Sequence, residues 1–310
     1  MKPAFSVIFF TVSSGGGLGL MIWLILGRWL SGGVDGPPFW AGVGLAAALI
    51  SGGLLSSTLH LANPRNAWRA FSRFRTSWLS REGVLSVLIY PLAGLYLLAL
   101  LRGDATLEWV TGGLLLLLAV AVLFCTAMIY ACLKTIPRWR NPYTKIAYPL
   151  FGLASGGLLW LALRAWAVSG ASAAASGLDP WVIAALLLLA AGAALKLLYW
   201  NGFADSGEAG LSNTQALNLK GNVRLLDVGH THANFLTDEF GFVLARERAR
   251  LLRSAAIVLA FVLPLLLLLW RPQAAPVAAL LCLIGLLVER WLFFAEAQHV
   301  VRLYHGQRRI

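Results

Sequence analysis

Eight stretches of this 310-residue chain are apolar over roughly 20 residues each, the length an α-helix needs to cross the hydrocarbon core of a bilayer. They fall at roughly 5–27, 39–61, 83–101, 109–133, 146–167, 180–200, 254–271 and 275–297. Lipid offers no water to backbone N–H and C=O groups, so each stretch must satisfy its own backbone as a helix. The expected fold is all-α: a polytopic membrane protein, a bundle of eight transmembrane helices forming one membrane domain over residues 1–310. Only 12% of residues are charged and 59% are hydrophobic, where a soluble domain carries about twice that charged share. The one long polar segment, about 201–253, is too short for a catalytic domain of its own. Lys2 leads straight into the first apolar run with no evident cleavage site, which reads as a retained first helix.

A net charge of +12 suits nucleic acid in a soluble protein, but here the cations sit in short loops between apolar spans. Nineteen Lys and Arg lie at the two termini and in the second, fourth and sixth connections, among them Arg65, Arg69, Arg73, Arg75, Lys134, Arg138, Arg253 and Arg302. Arg28, Arg102, Arg164 and Arg271, four in all, lie in the opposite connections. Cytoplasmic loops carry the excess of Lys and Arg, so both termini are expected in the cytoplasm, with the chain in a bacterial inner membrane.

Three polar constellations interrupt the apolar sequence. The first is HLANPRNAWRAFSRFRTSWLSRE, from His60 at the end of the second span to Glu82 at the start of the third. A histidine and a carboxylate at one membrane face can exchange protons with a ligand at that depth. The arginines between them can dock an acidic partner or meet lipid phosphates, and His60 can equally cap a helix. The second is ERWLFFAEAQHVVRLYHG, in which Glu289 and Arg290 lie inside the last span. An ionisable residue there is costly and points to function or to an ion pair with another helix. Glu289, Glu296 and His299 share one helix side by spacing. The third, GHTHANFLTDEFGFVLARERARLLR, places His230 and His232 near Asp238 and Glu239 in the long polar segment. Their spacing matches no closed metal site, and a partner-facing loop is the plainer reading.

Cofactor chemistry is narrowed by what is spaced where. Cys125, Cys132 and Cys282 form no metal-binding pattern, so the chain is expected to hold no iron–sulfur cluster. All five histidines lie at or beyond one membrane face, which excludes a two-haem relay across the bilayer. The run SSGGGLG, Ser13–Gly19, lies inside a span and lacks the Lys-Ser/Thr of a phosphate loop, so it reads as a surface for close helix packing.

Taken together, PAFSVIFFTVSSGGGLGL, the His60–Glu82 block, the His230–Arg253 block and the Glu289–Gly306 tail resemble the membrane-anchor subunits of dimethyl-sulfoxide-reductase-type molybdoenzymes over nearly the whole chain. The resemblance implies an eight-helix anchor without haem. Its partners would be an iron–sulfur electron-transfer subunit and a molybdopterin catalytic subunit, which alone would carry the clusters and the molybdenum. It also implies electron exchange with a quinone, ubiquinone or menaquinone. Carried over by motif, His60, Ser80 and Glu82 would bind the quinone, with Glu289 a further candidate. Arg65, Arg69, Arg73, Arg75, His230 and His232 would dock partners. Ala62 stands where relatives often have glycine, and His232-Ala233-Asn234 where they often read Gly-Glu-Asn, which would retune the partner interface. The cytoplasmic placement of this face resembles sulfite dehydrogenase membrane subunits, which would pass electrons from sulfite to quinone. Two alternatives remain: the anchor of a dimethyl sulfoxide or related reductase, and a small-anion transporter, whose mark would be paired broken helices at mid-membrane.

Overall fold

A computed structural model describes residues 3–31, 36–59, 63–168, 179–204, 212–221, 223, 226 and 248–305. Among these, eight helices are long and apolar enough to cross a membrane. They are α1 (Phe5–Ser31), α2 (Pro37–Thr58), α3 (Trp78–Arg102), α4 (Ala105–Ala131), α5 (Pro142–Val168), α6 (Pro180–Ala204), α7 (Ala249–Trp270) and α8 (Ala275–Ala295). A 3₁₀ segment, Pro64–Arg73, joins α2 to α3. The chain is thus an all-α, multi-pass membrane protein. Of the polar stretch 201–253, the described parts are the end of α6, a helical turn at Asn213–Leu217, a few neighbouring residues and the start of α7.

The helix ends are written in capping residues that hydropathy passes over. Ser77 accepts a hydrogen bond from the Ser80 backbone N–H (3.4 Å), so α3 starts at Trp78, about five residues before the apolar run. Asp104 accepts from the Leu107 N–H (3.0 Å) and starts α4. Between the two helices Gly103 adopts φ 68°, the left-handed conformation that glycine takes without strain. In α7, residues Val258–Val262 form one π turn just before Pro264. Proline has no N–H and clashes with the carbonyl four residues back, and the wider turn takes up that defect.

The most buried helices are not the most hydrophobic. α1 and α5 are buried over 89% and 67% of their apolar windows with mean hydropathies of only 1.8 and 1.6, whereas α3, at 2.3, is 22% buried. Lipid is as apolar as leucine, so burial inside the bundle is gained by close packing of small residues. A Cβ on Gly19 would overlap the Gly152 carbonyl, and one on Gly156 would overlap the backbone of Gly19 and Leu20. The two backbones therefore touch, and the Ser13–Gly19 run packs as its composition implies. α2, α4 and α8 lean on this central pair, with α3 outside α4 and with α6 and α7 outside α5 and α8. Gly156→Val should cost about 3 kcal/mol of stability, the upper end for an overpacked core. Gly44→Ala, where a Cβ meets open space, should be silent in the same thermal unfolding assay in detergent.

Candidate functional site

The second connection is a short amphipathic ledge at the end of the bundle where α3 begins. In the 3₁₀ segment, Arg65, Arg69 and Arg73 alternate with Trp68 and Phe71, and these side chains are exposed together with Phe74 and Arg75. Phe71 anchors the ledge on α3 at Gly83, where a Cβ would come within 3.2 Å of the Phe71 ring. Arg81 closes the turn. Its Nε donates to the Phe74 carbonyl (3.0 Å), its Nη2 to the Arg75 carbonyl (2.7 Å), and its guanidinium covers the Trp78 ring at 4.2 Å. Arg81 thus works on the fold, while Arg65, Arg69, Arg73 and Arg75 present four cations outward. Such a surface can receive an acidic partner or phosphate groups.

Directly inside this ledge, the first turns of α3 bury three polar groups. Ser80, Glu82 and Ser86 are 1%, 3% and 2% exposed. The Ser80 hydroxyl has no hydrogen-bond partner among the described residues, which is unusual for a buried polar atom. The Glu82 carboxyl meets the Thr126 hydroxyl of α4, and that hydroxyl also lies 3.0 Å from the Val122 carbonyl. A hydroxyl carries one proton. If Glu82 is ionised, Thr126 donates to it. If Glu82 is protonated, it donates to Thr126, which then turns its own proton to Val122. The pair keeps its hydrogen bond in both protonation states.

Glu289 sits in a different environment. Its Oε1 lies 2.6 Å from Lys196 Nζ of α6 and its Oε2 3.2 Å from Arg290 Nε. All three side chains are at most 4% exposed. Arg290 lies over the Tyr148 ring at 3.8 Å, and Lys196 over the rings of Tyr199 and Trp200 at 4.1 and 4.5 Å. At the C-terminal cap of α8, Glu296 binds Arg253 (2.7 Å) and Arg138 (3.3 Å). The shared side of Glu289 and Glu296 is real, and both carboxylates serve as bolts between helices. Helix α8 ends at Ala295, so His299 lies beyond it, next to a short 3₁₀ turn whose Val300 N–H donates to the Thr135 carbonyl (2.9 Å).

The structure therefore groups Ser80 and Glu82 under the arginine ledge and places Glu289 in an ion cluster of its own. His60, His230 and His232 lie outside the described residues. Two partners were passed over in the sequence. Lys196, the one lysine inside an apolar run, is the obvious signal for a buried carboxylate elsewhere. Thr126 gives none, because a lone threonine in a helix ordinarily bonds its own backbone. The opposite rim carries the pairs Arg28–Glu108 (2.7 Å) and Arg164–Asp179, with Trp29 stacked on Trp109 at 4.3 Å, a belt typical of a membrane interface.

Eight helices able to span a membrane, with a cationic ledge over buried polar groups, define a multi-pass membrane protein with one strongly charged face among the described residues. Residues 1–295 match the family described as DMSO reductase anchor subunit (DmsC), and the chain belongs to that family. It is 32% identical to a sulfite dehydrogenase subunit of Allochromatium vinosum, over 98% of this chain and 99% of that protein. It is 30% identical to the anaerobic dimethyl sulfoxide reductase chain YnfH of Escherichia coli, over 48% of this chain and 51% of that one.

The ion cluster makes an asymmetric prediction. Glu289→Gln leaves two buried cations facing each other and should cost about 3–5 kcal/mol. Lys196→Met leaves a neutral Glu289–Arg290 pair and should cost less. Thermal unfolding of the two purified variants gives the order, and the reverse order would contradict this arrangement.

Proposed function

We propose that this chain is the quinone-reactive anchor of a molybdopterin and iron–sulfur oxidoreductase, passing electrons between the iron–sulfur subunit and the quinone pool. The observation that carries the reading is Glu82, a carboxyl group buried just past the first turn of α3, hydrogen-bonded among the described residues only to a neutral hydroxyl, under a cationic ledge. The residues fit a quinone. The unpartnered Ser80 hydroxyl can bond a ring oxygen, and the Glu82–Thr126 pair can hold or release a proton without losing its hydrogen bond. A quinone supplies two-electron, two-proton chemistry, the electrons reaching it from the partner's clusters. On this chain, His60 bonds a ring oxygen and relays one proton, Ser80 orients the ring, and Glu82 exchanges the second proton. Arg65, Arg69, Arg73 and Arg75 dock the iron–sulfur subunit, and His230 and His232 are assigned to the same partner face. Glu289, held between two cations, has the lesser part in this reading.

The full-length similarity to a sulfite dehydrogenase subunit supports sulfite oxidation as the reaction served, with the cationic face and both termini in the cytoplasm of a bacterial inner membrane. Electrons and protons then meet at one face, and turnover moves no net charge across the bilayer. A fluorescent protein fused after Ile310 should fluoresce, and alkaline phosphatase at the same place should stay inactive. The opposite result would favour an exported catalytic subunit of the dimethyl sulfoxide reductase kind. In the assembled complex, Glu82→Gln and His60→Ala should each lower quinone-linked turnover by about 100-fold or more, the scale of a lost general acid–base group. Dye-linked turnover by the catalytic subunit should remain. Unchanged quinone kinetics in both variants would remove these residues from the site.

A further inference from the structure

α2 packs on α1 and α3 packs on α4, but α2 and α3 barely touch each other. Their divergence leaves a crevice of about 280 Å³, floored by α1 and α4 around Ile25 and Leu115 and walled by α2 and α3. The α3 wall runs from Ile89 to Leu97, about 12 Å along the helix. Among the described residues no charged side chain lines it. On the α2 wall Ala47 is exposed, and on the α3 wall Gly94 has nothing within 4 Å of the position of a Cβ. The crevice is thus open toward the hydrocarbon of the bilayer. Among the described residues one hydrogen bond bridges it, between Ser51 and Tyr90 (2.8 Å).

The crevice and the polar site lie along one face of α3. Glu82, Ser86, Ile89 and Tyr96 recur at helical spacing and are all at most 5% exposed. The face is polar for its first turns and apolar below. A ligand matched to it has a polar head at the rim and a hydrocarbon chain reaching into the core. A phospholipid acyl chain does not match both parts, because its headgroup stays at the interface and makes no use of Glu82.

We propose that the crevice between α2 and α3 holds the isoprenoid tail of the quinone whose ring is received at Ser80 and Glu82. The inference rests on the quinone reading given above. The tail enters sideways from the lipid, and the crevice makes the site selective for long-tailed quinones over tailless ring analogues.

The test uses the purified complete complex with Gly94→Leu, which fills the crevice from α3 where a side chain has room, and Ala47→Leu, which fills it from α2. Two readouts are taken: the long-tailed quinone that co-purifies, by extraction and chromatography, and KM for a long-tailed against a tailless benzoquinone. Both variants should lose most of the co-purifying quinone. They should raise KM for the long-tailed form by about ten-fold, the loss of roughly two buried methylenes, with KM for the tailless form and kcat for both unchanged. An equal rise in KM for both quinones would overturn the proposal, because the ring site would then be what was disturbed. So would wild-type retention and kinetics in both variants, or loss of phospholipid in place of quinone. If the wild-type complex reacts with neither quinone, the quinone reading falls and the tail site with it. If the wild type reacts with both and the variants match it, only the tail site falls.

Discussion

The backbone contact between α1 and α5 is the interaction on which the bundle depends. In water, burial of apolar surface would drive the helices together. In lipid that force is absent between helices, and association rests on how closely their atoms approach. Gly15, Gly19, Gly152 and Gly156 remove the side chains that would hold the two backbones apart. The two central helices have modest hydropathy because the contact between them is made by glycines. Large apolar side chains flank the contact, with Leu18, Leu20 and Trp160 fully buried, while Leu117, Leu187 and Leu280 are exposed on the outside. The resulting core is narrow, and it leaves α2 and α3 attached to different neighbours with a crevice between them.

Buried charge supplies a second kind of order. An ionised side chain in a bundle core is tolerated only with a partner of good geometry. Glu289 ties α8 to α6 through Lys196, and Glu296 ties the end of α8 to the start of α7 through Arg253 and to the fourth connection through Arg138. These pairs fix depth and rotation, which apolar packing leaves loosely specified. The rings of Tyr148, Tyr199 and Trp200 complete the cage, so the cations meet π faces as well as carboxylates.

The sequence made the membrane fold readable because the bilayer imposes one rule on every span: length and apolarity. It could not place the helix ends, which depend on Ser77, Asp104 and Gly103, residues that hydropathy does not weigh. Glu82 was legible as a polar residue at a span edge. The earlier start of α3 puts it well inside the helix, facing α4 instead of the rim. Glu289 was legible as a costly charge, but its partners come from Lys196, 93 positions away in sequence, and from its own neighbour. Pairings between helices of unlike sequence position leave no local mark. The arginine ledge was legible as charge, whereas the division between Arg81, which holds the turn, and the four outward arginines needed the turn itself.

Two buried carboxylates near one membrane face invite the same role, and their surroundings assign them different ones. Glu289 stands between Lys196 and Arg290, so adding a proton to it would leave two cations without a counter-charge in a low-dielectric core. Its charge is locked by the fold. Among the described residues Glu82 has only Thr126 as hydrogen-bond partner, and the hydroxyl reverses its direction when the carboxyl changes state. No ion is stranded by that change. The cost of moving a proton at Glu82 is therefore local, confined to a rotation of one hydroxyl and the solvation of one group. A residue so placed can change its protonation state while the ionic bolts of α6, α7 and α8 keep the bundle still.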